Sequence, residues 1–256
     1  MKVAVIGSTG WVGKAMMSLF PDAYQYTSHI GAREGVNKCN VAYICVPTPL
    51  HQDGSGRLDT SIVEECVSWC ECEVIVIRST VNPGTCDYLS KKYNKRIVMQ
   101  PEYLGETPNH PLLEQKLNQF MILGGKHEDV RKIIEVYTKT YNANIKIRQV
   151  TALEAEIIKL SENRAIAFKV MQCQELYDAC QKAGIDYYTI RDAVYGDDPR
   201  FNLWFTMIYP DNRGFSSSKC LRKDVPAWNA WARANGFDPE ITGMLVIKSG
   251  EYARKI

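Results

Sequence analysis

The sequence has no apolar stretch near its start long enough for a signal peptide or a membrane span. The run VAVI stops at Gly7, far short of the roughly 20 residues that cross a bilayer. It has no dense run of one charge. Thirty-one Lys and Arg against 29 Asp and Glu leave a net charge of +2, which argues against nucleic acid or an anionic membrane as partner. It has no CxxC pair. The nine cysteines are an odd, scattered set, and Cys66, Cys70 and Cys72 cluster without ligand spacing or a nearby His, so no metal is expected. With no secretion signal to imply an oxidising compartment, reduced thiols and a cytoplasmic location are the expectation. There is no internal repeat and no flexible linker. What remains is an ordinary globular composition, 45% apolar and 23% charged over 256 residues, enough for one large domain or two modest ones.

The start of the chain reads as strand, glycine turn and helix: KVAVI, then Gly7-Ser8-Thr9-Gly10-Trp11-Val12-Gly13, then KAMMSLF. That is the context of a dinucleotide fingerprint, in which glycines let backbone approach a pyrophosphate at a helix N-terminus. The spacing is GxxGxxG, one residue longer than the usual turn. The second strand, expected at 23–27, ends in Thr27-Ser28-His29 with no acid for the adenosine ribose, and Glu34 lies in an expected loop. The choice between NAD and NADP is therefore open. Further strands are expected at 41–46, 74–77, 97–99, 120–123 and 145–148, with helices starting near Thr60 and Thr85 and spanning about His127 to Tyr141. This alternation predicts an α/β fold, a Rossmann-like doubly wound parallel sheet over residues 1–150. Ligands bind beyond the carboxyl ends of such strands. There lie Pro47 and Thr48 of VPTP, Ser79 and Thr80 of RSTV, and Glu102, Tyr103, Leu104 and Glu106 of PEYLGE.

From Thr151 to Gly184 apolar residues keep to spacings of three and four, apart from one polar gap, without a Pro. One helix of roughly 50 Å is predicted, with Thr151 and Glu154 forming a capping box and Gly184 ending it. An all-helical domain, 151–256, is built on it. Apolar on more than one side, this helix also predicts a homodimer. Lys159 and Asn163, four apart, share one face; the plainer reading is a solvated edge carrying Glu156, Lys159, Glu162 and Asn163. A short helix is expected from Asp186 or Tyr187, then the loop Gly196–Arg200, then GFSSSKCLRKD, and helical pattern from Val225 onward, broken near Gly236–Pro239.

With these residues in hand, the chain resembles the UDP-glucose/GDP-mannose dehydrogenase family. VPTPL followed by DGSGRLD is similar to that family's VPTP motif, RSTVNPGT to STVPPGT, and PEYLGE to PEFLRE. IIKLSEN resembles IKYxxN, DPR the substrate-loop arginine, and CLRKD the CxPKD motif of the active-site cysteine. The resemblance implies oxidation of a primary alcohol of a sugar or nucleotide sugar to a carboxylate, with two NAD and a covalent cysteine intermediate, in the service of polysaccharide biosynthesis. It implies catalytic roles for Cys220, Lys159, Asn163, Asp224, Glu102 and Thr80, with Lys223 favouring the thiolate. It implies cofactor contacts from Gly7, Gly10, Trp11, Val12, Gly13, Pro47, Thr48, Ser79, Thr80 and Glu106. Substrate contacts would come from Tyr103, Leu104, Lys159, Asn163, Gly214 and, across a dimer interface, Arg200. The sequence departs from the family in the longer glycine turn, the missing ribose acid and a short segment before VPTP. GFSSSKC stands where the family has GFGGSC, and the expectation is that a third, nucleotide-holding domain is missing. Two other readings stay open: a two-electron hydroxyacid dehydrogenase, whose family also carries Lys and Asn four apart on a helix, and a non-catalytic binding protein that kept the fold.

Overall fold

The computed structural model describes residues 1–105, 119–138, 140–141 and 145–254. Seven strands make one sheet: β1 (Val3–Ile6), β2 (Tyr24–Tyr26), β3 (Val41–Ile44), β4 (Val74–Ile77), β5 (Ile97–Met99), β6 (Phe120–Gly124) and β7 (Lys146–Val150). Their order is β2-β1-β3-β4-β5-β6-β7. With them run α1 (Trp11–Leu19), α2 (Arg33–Val36), α3 (Ser61–Trp69), α4 (Thr85–Tyr93) and α5 (His127–Tyr137). β1 lies between β2 and β3, so the chain changes direction there, at the position where such sheets take ligands.

Alternate residues of each strand serve opposite faces. Ala4, Ile6, Ala42, Ile44, Ile75 and Ile77 pack with Val63 and Val67 of α3 and Leu89 of α4. Val3, Val5, Val41, Tyr43, Val74 and Val76 pack with Met16 and Leu19 of α1 and Ile133 of α5. Burial on both faces is why VAVI and VIVI are apolar throughout rather than alternating. A buried Val or Ile side chain contributes about 1.5–3 kcal/mol, against helix or strand preferences of about 1 kcal/mol or less, so packing decides these short elements.

Pairing is parallel from β2 through β5. β6 corrects the all-parallel expectation: it meets β5 antiparallel at Met99 and Gly124, and β7 runs parallel to β6. A run buried on both faces reads the same in either direction, so its sequence carries no sign of strand sense. A second correction concerns Glu34, which sits in the first turn of α2 rather than in a loop.

The long helix, α6 (Ala152–Ala183), has 32 residues, about 48 Å at the usual rise. Its capping box is formed. The Glu154 N–H donates to Thr151 Oγ1 (3.2 Å) and the Thr151 N–H to Glu154 Oε2 (2.7 Å). At the other end Gly184 takes φ +68°, and the N–H groups of Gly184 and Ile185 return to the carbonyls of Gln181 and Cys180, a glycine-terminated end.

The chain divides into two compact units, Met1–His51 with Leu58–Lys159, and Gln52–Arg57 with Leu160–Ile256, so the division runs within α6. The second unit continues with α7 (Tyr187–Arg191), capped by Asp186, a π-helical turn over Asp192–Asp197, α8 (Leu221–Ala234) and α9 (Glu240–Ala253). Ala167, Met171, Phe215, Leu221, Val225 and Leu245 form one of its cores. α8 begins at Leu221, four residues before the helical pattern was expected. The Ser218 hydroxyl accepts the Leu221 N–H (3.1 Å) and the Cys220 carbonyl accepts those of Lys223 and Asp224. Cys220 therefore stands directly ahead of a helix. Among the described residues, no helix is long and apolar enough to cross a membrane, and no three His, Cys, Asp or Glu side chains meet as a metal would need.

Candidate active site

In the glycine turn, two of the three glycines are there because nothing else fits. Gly7 has φ +82°, and a Cβ on it would lie 2.5 Å from the Cys45 carbonyl oxygen; one on Gly13 would lie 2.0 Å from the Gly7 carbonyl oxygen. Gly10 has room, its nearest such contact being 3.4 Å. The Tyr26 carbonyl at the end of β2 accepts the Gly7 N–H (2.8 Å), tying the turn to the neighbouring strand. α1 has no side-chain cap, and Trp11, its first residue, is half exposed. Ser8, which the sequence reading passed over, is buried with a hydroxyl that has no hydrogen-bond partner. A close-packed glycine turn, open N–H groups at a helix start and an orphaned hydroxyl together fit the pyrophosphate of NAD. At the adenosine side, Thr27 and Ser28 offer hydroxyls where an acid is usual. Arg33 approaches the Tyr26 hydroxyl (3.4 Å) and pairs with Glu65 (2.6 Å).

At the next strand ends, two hydroxyls lace the turns together. Thr48 donates to the Thr80 carbonyl (2.7 Å) and Ser79 to the Val46 carbonyl (2.6 Å), both being buried. Pro47 is exposed beside them and Thr80 is buried. The PEYL turn wraps around Lys159. The Lys159 ammonium donates to the Glu102 carbonyl (2.6 Å), lies 3.6 Å from Glu102 Oε1, and sits 5.1 Å over the Tyr103 ring. Glu102 Oε2 accepts the Leu104 N–H (2.9 Å). Lys159 is only 4% exposed, and a buried ammonium is costly unless held in this way. Glu106 lies outside the described residues.

In the second unit, Asp224 is 1% exposed and accepts hydrogen bonds from Asn163 Nδ2 (2.5 Å) and Lys223 Nζ (2.7 Å). Lys223 thus serves the carboxylate next to it. Asp224 follows Cys220 by four residues, one turn of helix. None of the nine cysteines is in a disulfide; Cys39 and Cys220 are partly exposed and the other seven buried. The loop before Cys220 is held by its serines. Ser216 meets Ser249 Oγ (3.4 Å), Ser217 bonds Asn212, and Ser218 caps Leu221. Gly214, at φ +73°, leaves no space for a Cβ, which would fall 2.7 Å from the Ser249 carbonyl oxygen. Arg200 is exposed and held bidentately by Asp198.

Three of the four polar residues of the supposed solvated edge are buried: Glu156 at 1%, Lys159 at 4% and Asn163 at 7%. They follow the spacing of Leu160 and Ala167, both fully buried, so they occupy the core-facing stripe of α6. That spacing was the available signal for Glu156.

Residues 21–142 match the NAD binding domain of the UDP-glucose/GDP-mannose dehydrogenase family, and residues 153–247 match its central domain. The first match starts beyond the glycine turn. A UDP-glucose 6-dehydrogenase of Rickettsia bellii is 25% identical over 229 residues, 85% of this chain and 51% of that relative. The chain spans about half the length of the curated relatives it matches. Its fold is that of a UDP-glucose dehydrogenase from Pyrobaculum islandicum (TM-score 0.80, 19% identity, 98% of this chain and 68% of that one). It is also similar to a 3-hydroxyisobutyrate dehydrogenase from Mycobacterium tuberculosis (TM-score 0.71, 14% identity, 99% and 94%). The motif order, the sheet with its glycine turn and both domain matches agree, and the chain belongs to the UDP-glucose/GDP-mannose dehydrogenase family.

Proposed function

We propose that this chain is an NAD-dependent dehydrogenase that oxidises the primary alcohol of a nucleotide sugar to a carboxylate through a thioester on Cys220. The observation that carries the reading is the buried Asn163–Asp224 pair, joined by the half-buried Lys223, one helical turn beyond Cys220. Apolar residues of similar volume would stabilise this place as well as a buried carboxylate does, which favours a role for Asp224 beyond packing. NAD, when bound, supplies the acceptor for two hydrides per substrate.

The residues then have these roles. Lys159 and Asn163 stabilise the oxyanion that develops as the alcohol loses its proton and hydride. The Cys220 thiolate, favoured by the positive end of α8, adds to the aldehyde carbon and forms a C–S bond. Loss of the second hydride leaves a thioester. Asp224 orients a water, and the attack of that water breaks the C–S bond, releases the carboxylate and returns the thiolate. Ser79 and Thr80 line the nicotinamide side.

With UDP-glucose as the probe, two NADH should form per sugar oxidised. Cys220→Ala should lower acid formation by a factor of about 10³ or more. One NADH per turnover, or an unimpaired Cys220→Ala, would falsify the reading. Those same outcomes belong to the second reading, a two-electron hydroxyacid dehydrogenase, favoured by the near-complete coverage of the 3-hydroxyisobutyrate dehydrogenase structure.

The reading includes a homodimer. Phe201, Trp204 and Tyr209 are each about half exposed, an apolar surface of the kind a second copy covers, and Arg200 lies beside them in the chain. Light scattering should give twice the chain mass; a single-chain mass removes the cross-subunit role of Arg200.

A further inference from the structure

Glu156 is buried to 1% exposure on α6, one turn before Lys159, and has no part in the chemistry above. Its two oxygens take separate donors at the start of α4. Oε2 accepts the Gly84 N–H (2.5 Å) and Oε1 the Cys86 N–H (2.8 Å), with the Cys86 thiol adding a third interaction. Gly84 closes the turn that runs from Ser79 and Thr80 at the end of β4, and holds φ +95° there. A carboxylate with both oxygens committed to backbone N–H groups fixes where that turn ends.

We propose that Glu156 is a positioning residue: its carboxylate clamps the Ser79–Gly84 turn to α6, and so sets Thr80 and the Lys159 backbone in register for the reaction. This rests on the function proposed above, though the clamp itself does not. The groups facing Glu156 are the Cys86 thiol and the Asp87 carboxylate, both of α4. Burial first, and Asp87 to a smaller degree, push the Glu156 carboxyl up to about 7 against the pull of the Gly84 and Cys86 donors. The clamp is therefore complete above neutral pH and loosens below it.

The sign for stability runs the other way. A carboxyl raised in the folded state stabilises most at low pH, and that contribution is lost as pH rises from about 4.5 to 7.

The test uses the full chain with NAD and UDP-glucose, comparing wild type with Glu156→Gln, in which one N–H is met by an amide NH₂. Amide exchange at Gly84 and Cys86 should be about tenfold faster in the variant at pH 8. After correction for intrinsic rates, wild-type protection should deepen between pH 6 and 8 while the variant's stays flat. Turnover of Glu156→Gln should fall about tenfold with KM for UDP-glucose within twofold, and the acid limb of kcat near pH 7 should disappear. The Tm of wild type relative to the variant should drop between pH 5 and 7 and then level. Unchanged exchange in the variant overturns the clamp. Lost protection with unchanged turnover and acid limb overturns the positioning role. If wild type oxidises no nucleotide sugar, the proposed function falls, and exchange alone then decides for or against the clamp. Should Glu156→Gln not fold, Glu156→Asp, which keeps the charge but falls short of both N–H groups, takes its place beside the wild-type pH series.

Discussion

Two loops in this protein precede helices and sit next to proposed chemistry, yet they are held by opposite means. The glycine turn before α1 is fixed by lack of space: Gly7 and Gly13 are pressed against carbonyl oxygens that a single methyl group would strike. The loop before α8 is fixed by hydrogen bonds: Ser216, Ser217 and Ser218 each engage a named partner. A turn set by backbone packing cannot be altered without moving the backbone. One set by side-chain hydroxyls is adjustable a bond at a time.

Substitution breaks or sharpens this contrast. The largest effect belongs to Gly13→Ala, whose methyl would sit 2.0 Å from the Gly7 carbonyl oxygen. It should cost about 3 kcal/mol or more, roughly 6–12 °C in Tm for a chain of this size, while Gly10→Ala stays close to wild type. Equal losses at both positions, read by thermal melting, would mean that the turn is not space-limited. A smaller effect is expected at Ser218→Ala, which frees the first N–H of α8 and should cost about 1 kcal/mol. The smallest belongs to Ser216→Gly, which gives up a 3.4 Å contact and should stay within about 0.5 kcal/mol of wild type. If Ser216→Gly proved as damaging as Gly13→Ala, the two loops would be alike after all.

Much of this was legible in the sequence because it is local. The glycine turn follows a strand at once, the capping box of α6 is three residues wide, and apolar runs give the strands almost to the residue. What was not legible depends on distant partners. Glu156, Lys159 and Asn163 read as a wet edge because hydropathy assigns charge to solvent. Their burial is made tolerable by Cys86, Glu102 and Asp224, which lie between 57 and 70 residues away along the chain. The antiparallel sense of β6 was hidden for a related reason, since a doubly buried strand has no polar face to show its direction. The early start of α8 was hidden because a serine two residues before a cysteine does not look like a helix signal until the cap is seen.

The distribution of thiols has a practical consequence. Burial pushes Cys45 and Cys66 up to about 12 and raises Cys86 well beyond its ordinary range, leaving them neutral and unreactive in water near pH 7. Cys39 and Cys220 are the two that are partly exposed, the other seven being buried, so a mild alkylating reagent meets these two first. With Cys39 replaced by serine, a fluorophore can be installed at the proposed nucleophile alone, and the protein becomes its own reporter of events at the mouth of α8.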